Sequence, residues 1–170
     1  MLVETLTNGN ERLEILYDNN PESPRDWDNL GTMGYAHRRY VLGDKEMEVD
    51  ELNAIEANDH ISLPLYLYDH SGCTMNTTGF SCPWDSGQVG VIFVSKEKVR
   101  KEYDWKVITA KRKEQILKYL QGEVDTFDQY LRGDVYGFRK LVDGVETDSC
   151  WGFYGSDHKK SGLFENAGWE

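Results

Sequence analysis

Apolar-rich runs at residues 3–6 and 13–17 flank Thr7-Asn8-Gly9-Asn10. An Asn-Gly pair supplies the positive φ angles of a tight turn, so this pattern predicts a β-hairpin. In the next stretch, NNPESPRDWDNLGTMG, Ser23 is a helix cap and Pro24 suits a first helical position, while Gly31 and Gly34 interrupt. A loop with at most one turn of helix is expected there. Residues 35–42, YAHRRYVL, read as a strand ending at Gly43-Asp44. Between Asp44 and Asp59 a thin apolar stripe of Met47, Val49, Leu52 and Ile55 runs beside seven carboxylates and one lysine, which predicts a marginal helix or a charged excursion. Leu63, Leu65 and Leu67 then alternate with period two, the mark of a half-buried strand, and Pro64, which has no N–H to donate, places its start near a sheet edge. The continuous β-branched and aromatic run QVGVIFV, 88–94, reads as a central strand.

Ser95 is positioned to cap a short helix through KEKVRKEYD. After Thr109, the residues Ile116, Leu117, Leu120, Val124, Phe127 and Leu131 recur at spacings of three and four up to Gly133. That spacing predicts a long amphipathic helix despite Gly122. Runs at 135–142 and 146–154 flank Asp143-Gly144, a second hairpin signal. Strands joined by short turns with helices clustered between them predict an α+β fold: a mainly antiparallel sheet with one long amphipathic helix and one short helix. The expected organisation is one domain over 1–155 and a mobile C-terminal tail over 156–170. No internal repeat is present.

With 170 residues, 39% hydrophobic and 29% charged, the chain suffices for one sizeable core. No apolar stretch approaches the roughly 18 residues of a membrane span, and the first residues show no signal-peptide pattern, so a cytoplasmic protein is expected. Thirty acidic against nineteen basic residues give a net charge of −11. That charge opposes direct binding to nucleic acid and favours basic protein surfaces as partners. Cys73, Cys82 and Cys150 cannot all pair within one chain.

Chemistry concentrates in residues 66–90, YLYDHSGCTMNTTGFSCPWDSGQVG. His70, Cys73, Cys82 and Cys150 are a conceivable zinc set, weakened because only one loose ligand pair exists where structural zinc sites present two. A hydrolytic site would use Cys82 or Ser71 as nucleophile, His70 or His37 as base, and Asp69 or Asp85 to orient the base. The competing reading is that Asp69 and Asp85 organise a tight loop by accepting hydrogen bonds. Phosphate-binding motifs are absent and no cofactor is expected. On the long helix, Lys111, Arg112 and Lys113 occupy the first turn, and Glu123, Asp125 and Asp128 fall in its C-terminal half. Both placements oppose the helix dipole, which points to what the helix surface meets, the acidic stretch at 44–59 or an external anion, with solvated charge as the competing reading. Five tryptophans, Trp84 among them, suit interface anchoring as well as core packing.

The segments SPRDWDNLGTM, HRRYVLGD, LPLYLYDHSG, SCPWDSGQVG, EVDTFDQYLRGDVYGF and DSCWGFYG, spread over nearly the whole chain, resemble those of small acidic proteins of bacteriophages and mobile elements of Gram-positive and gut bacteria. The resemblance implies a setting, the bacterial host cytoplasm, and no catalytic residues. By analogy of setting it implies an anti-CRISPR or anti-restriction role: a phage accessory protein that inhibits a host nucleic-acid-handling machine. The implied partner is a basic surface of a nucleic-acid-binding protein such as a CRISPR effector, met by an acidic mimic of nucleic acid. The residues expected to meet it are Asp44, Glu46, Glu48, Asp50, Glu51 and Glu56, then Glu123, Asp125 and Asp128, with Trp84 as anchor. The alternative is a small hydrolase or a small-ligand-binding module using residues 66–90.

Overall fold

The hairpin signal at Asn8-Gly9 produces a hairpin shifted by one residue. Strand β1 (Leu2–Asn8) pairs antiparallel with β2 (Glu11–Tyr17), and Asn8 faces Glu11 across a two-residue turn of Gly9 and Asn10, with Gly9 at φ 60°. The structure is a computed structural model that describes residues 1–57 and 59–169, without the side chains of Glu56 and Ala57. Among the described residues there are nine strands, four α-helices and one 3-10 turn, an α+β architecture of mostly antiparallel sheets. Two more helices form than the one long and one short expected. The chain divides into two compact units.

One unit comprises Met1–Ser23 and Gln129–Glu170. Its sheet has the order β1-β2-β8-β9, antiparallel throughout, with β8 (Val135–Val142) and β9 (Val145–Tyr154) joined by Asp143 and Gly144, both at positive φ as a type I′ turn requires. Alternation puts Leu13 and Ile15 of β2 and Tyr136 and Phe138 of β8 on one face, where they are buried together. Leu163 and Ala167, at the ends of the short helix α4 (Leu163–Asn166), complete this core. The segment expected as a tail over 156–170 thus places two side chains in the core. Its apolar residues are sparse in a polar stretch, yet Phe164 and Trp169 also pack, partly buried, against this core.

The other unit is Pro24–Asp128, a sheet of order β4-β3-β7-β5-β6. Strand β7 (Ser86–Ser95) lies at its centre, as the run QVGVIFV predicts, between β3 (Thr32–Tyr35) and β5 (His60–Asp69). Strand β6 (Cys73–Asn76) covers β5 only from Tyr66 to Asp69, so Pro64 sits where that side of β5 has no strand pairing among the described residues. The strand expected over 35–42 is instead β3, three residues earlier. Gly34, expected to interrupt, belongs inside it, because a Cβ there would stand 2.6 Å from the Met47 sulfur. A Cβ on Gly90 of β7 would stand 2.1 Å from the Gly34 carbonyl oxygen. Beyond Tyr35 the extended conformation is lost because His37 Nδ1 accepts from the backbone N–H groups of Arg39 and Tyr40, both at 3.2 Å.

The acidic stretch forms β4 (Lys45–Glu46), parallel to β3, and helix α1 (Val49–Ala57), opened by a Glu51 carboxylate that accepts from the Glu48 N–H at 2.9 Å. Ser95 caps α2 (Lys96–Tyr103) by accepting from Lys98 N–H at 3.1 Å. The long helix α3 (Ala110–Arg132) buries Ile116, Leu120, Val124 and Phe127, while Leu131, expected with them, is only half-buried. No helix among the described residues is long and apolar enough to cross a membrane.

Candidate functional site

The chemistry of residues 66–90 gathers at one end of β5 and β7, around two aspartates. Asp69 ends β5 and takes three donors: the Arg39 guanidinium at 3.0 Å, the Tyr40 hydroxyl at 3.4 Å and, more weakly, the Cys73 thiol at 4.0 Å. The Asp69 charge raises the Tyr40 pKa. Burial, then the Asp69 charge, raises that of Cys73, away from the thiolate that a nucleophile or a metal ligand requires. Asp85 anchors the neighbouring turn, with its backbone carbonyl accepting from Asp69 N–H at 2.9 Å. Its Oδ2 meets both His70 Nδ1 at 3.4 Å and the Cys82 thiol at 3.8 Å.

Of the residues expected as a hydrolytic set, Cys82, Asp85 and His70 are therefore neighbours in an order unsuited to nucleophilic catalysis. A relay needs the imidazole between nucleophile and carboxylate, and here the carboxylate stands between the imidazole and the thiol. Within the Pro24–Asp128 unit the expected zinc ligands are not brought together either: Cys73 turns to Asp69 and Cys82 to Asp85, while the Cys150 thiol on β9 lies near the Trp151 carbonyl. No group of three or more His, Cys, Asp or Glu side chains among the described residues could hold a metal ion. The turn after β6 is organised by Asn76, whose Oδ1 accepts from Thr78 and Gly79 N–H groups.

The carboxylates expected to meet a partner fall into two populations. Asp44 and Glu123 clamp Arg25. The guanidinium donates to both Asp44 oxygens at 2.8 and 2.6 Å and to Glu123 Oε1 at 2.9 Å, with side-chain exposures of only 5% for Arg25 and 7% for Glu123. Their remaining capacity goes to the backbone, Met33 N–H to Asp44 and Gly31 N–H to Glu123. Burial alone would lower the Arg25 pKa, yet the hydrogen bonds to Asp44 and Glu123 outweigh it and raise it. Asp128 accepts from the Thr74 hydroxyl at 2.6 Å and Met75 N–H at 2.7 Å, fastening α3 to β6. Asp125 accepts from Gln121 on its own helix. Glu46, Glu48, Asp50 and Glu51 are exposed, and the Glu56 side chain lies outside the described residues.

Three of these exposed carboxylates, Glu46, Glu48 and Glu51, form one wall of a cleft of about 920 Å³ whose other wall is residues 36–39. His37 and Arg39 also line a shallower depression of about 310 Å³ bounded by Asp69, Trp84 and Asp85. One continuous surface thus leads from the acidic start of α1 past His37 to Trp84, whose side chain is 91% exposed. Arg25 and His37, which shape this region, carry no strong signal in the sequence. The partners of Arg25 lie 19 and 98 residues away, and His37, a candidate base by its chemistry, instead ends the extended run by accepting from backbone N–H groups. Comparison with protein-family models, with curated proteins and with solved structures finds no match to this chain.

Proposed function

We propose that this protein is a noncatalytic accessory protein of a phage or mobile element that binds a basic surface of a host nucleic-acid-handling defence machine, such as a CRISPR effector, and inhibits it. The observation that carries the reading is the 91% exposed Trp84 at the end of a surface whose far side is lined by unburied carboxylates. An indole held in water on the turn before β7 is a poor use of apolar area unless a partner covers it, and tryptophan is enriched among residues that dominate binding energy. Glu46, Glu48, Asp50 and Glu51 supply the steering field, and a net charge of −11 gives it the sign a Lys- and Arg-lined groove attracts. The resemblance to small acidic phage proteins supports the same setting. The thiol–carboxylate–imidazole order at Asp85 favours binding over hydrolysis.

The test is inhibition of target cleavage by reconstituted CRISPR effectors and restriction endonucleases, with wild type and Trp84→Ala. The expected result is inhibition that Trp84→Ala weakens by at least about tenfold, the scale of a binding hot spot, at an unchanged melting temperature. Equal potency of the two proteins, or direct binding of the DNA by this protein, would overturn the reading.

A further inference from the structure

On the face of α3 away from the core lies a second aromatic surface within the Pro24–Asp128 unit. Trp27, 43% exposed, and Tyr119, 50% exposed, line a slot of about 400 Å³ together with Gly122. Glycine is the least favourable residue in a helix interior after proline, and the fold offers no reason for this one. Gly31, Gly34 and Gly90 each have a neighbour within 3 Å of where a Cβ would stand, whereas Gly122 has nothing within 4 Å and no positive φ. The missing side chain leaves open space in a slot that the two half-exposed rings also line. The lip is rigid, since the Asn29 amide donates to the carbonyls of Pro24 and Trp27, both at 2.9 Å.

We propose that this slot binds a proline-rich segment with a basic residue at one end, supplied by a partner protein. A polyproline II strand needs no backbone pairing, is preformed, and packs its flat pyrrolidine rings between aromatic side chains. A slot lined by Trp27 and Tyr119 and left open at Gly122 suits that shape. The basic end follows from charge. The slot continues into a second depression of about 190 Å³ that shares Asp28, Asn29 and Tyr119 with it and adds Glu102, and both Asp28 and Glu102 are exposed. The lysines nearby are engaged, Lys98 with the Leu30 carbonyl at 2.8 Å and Lys118 with Glu114 at 3.3 Å.

The experiment is calorimetric titration of the full chain with three synthetic peptides: one of two Pro-x-x-Pro repeats ending in arginine, its glutamate-ended counterpart, and a version with the prolines replaced by alanine. The arginine-ended peptide binds, and each replacement weakens it by about tenfold or more. Gly122→Leu fills the slot where there is open space, so it weakens binding by a similar factor without lowering the melting temperature. Absence of binding to wild type at millimolar peptide, or equal binding to Gly122→Leu, overturns the proposal. If Gly122→Leu does not fold, backbone and indole chemical shifts of wild type decide: changes centred on Trp27 and Tyr119 support the slot, and changes centred elsewhere overturn it.

Discussion

Arg25 illustrates how one side chain can organise a region that no local pattern marks. Its planar fork spends its donors on two carboxylates and the Gly31 carbonyl, so it ties the 3-10 turn that it occupies to the start of β4 and to the middle of α3. Removing it leaves the buried Glu123 carboxylate and the partly exposed Asp44 without their shared counter-charge. Arg25→Ala is expected to cost about 3–5 kcal/mol in chemical denaturation, and Arg25→Lys to recover little, because a point charge cannot reproduce the fork. Two tyrosines offer a separate check in alkaline solution. Burial pushes both Tyr136 and Tyr154 up to about 12, the first stacked on Tyr17 and the second donating its hydroxyl to the Glu22 carbonyl. Their folded pKa values exceed the unfolded value near 10, so the stabilisation is fully present below pH 10 and is lost as pH rises from 10 to 12. Of the ten tyrosines, these two are expected to ionise last in an absorbance titration. The double variant Tyr136→Phe, Tyr154→Phe should show a shallower fall in stability over that window. An unchanged slope would show that other groups set the alkaline limit.

At the scale of elements, the glycines separate what the fold requires from what it merely tolerates. Gly90 lies against the Gly34 backbone, which cannot retreat without breaking the β3–β7 pairing, so Gly90→Ala should unfold the unit or lower its melting temperature severely. Gly122→Ala meets nothing and should raise stability by about 1 kcal/mol, the ordinary difference in helix propensity. Along α3, Leu120 packs beside Gly31 and Ile92, so Leu120→Ala is expected to cost about 2–5 kcal/mol in urea unfolding, and half-buried Leu131→Ala clearly less. Those elements whose signals are local were legible in the sequence: both hairpins, the central β7, the Ser95 cap and the length of α3. What the sequence did not disclose depends on distant partners. Strand β3 fell outside its expected range because its glycines serve packing against Met47 and β7, and because His37 ends the extended run through its side chain. The acidic residues in the C-terminal half of α3 have the same origin, since Glu123 and Asp128 hold Arg25 and β6, whereas Arg112 meets the nearby Trp105 ring and Val107 carbonyl. At residues 66–90 the chemistry-bearing residues were visible, but their order around Asp85 is a property of three dimensions.

For the molecule as a whole, the question is which negative charges act outward. A net charge of −11 would by itself implicate every acidic cluster, but Asp44, Glu123 and Asp128 spend theirs on Arg25 and on backbone N–H groups. Arg25 offsets one of these three charges and all three carboxylates are held in internal hydrogen bonds, whereas Glu46, Glu48, Asp50 and Glu51 face solvent. Long-range steering depends on charge that remains uncompensated within a Debye length, about 8–10 Å at physiological salt. Converting the four exposed acids together to Gln and Asn should therefore slow association with an inhibited effector several-fold at low salt and flatten its salt dependence, with dissociation little changed. Folding should survive, because Glu51→Gln keeps a side-chain oxygen that accepts from the backbone N–H at position 48, and relief of like-charge crowding on an exposed surface costs little. The complementary pair Asp44→Asn, Glu123→Gln should do the reverse, lowering the melting temperature while leaving the salt slope of the folded fraction as it was. Association kinetics of the three proteins at two ionic strengths distinguish the cases. If the fourfold variant associates at the wild-type rate with the wild-type slope, the acidic start of α1 plays no part in steering, and recognition rests on the contact made by Trp84.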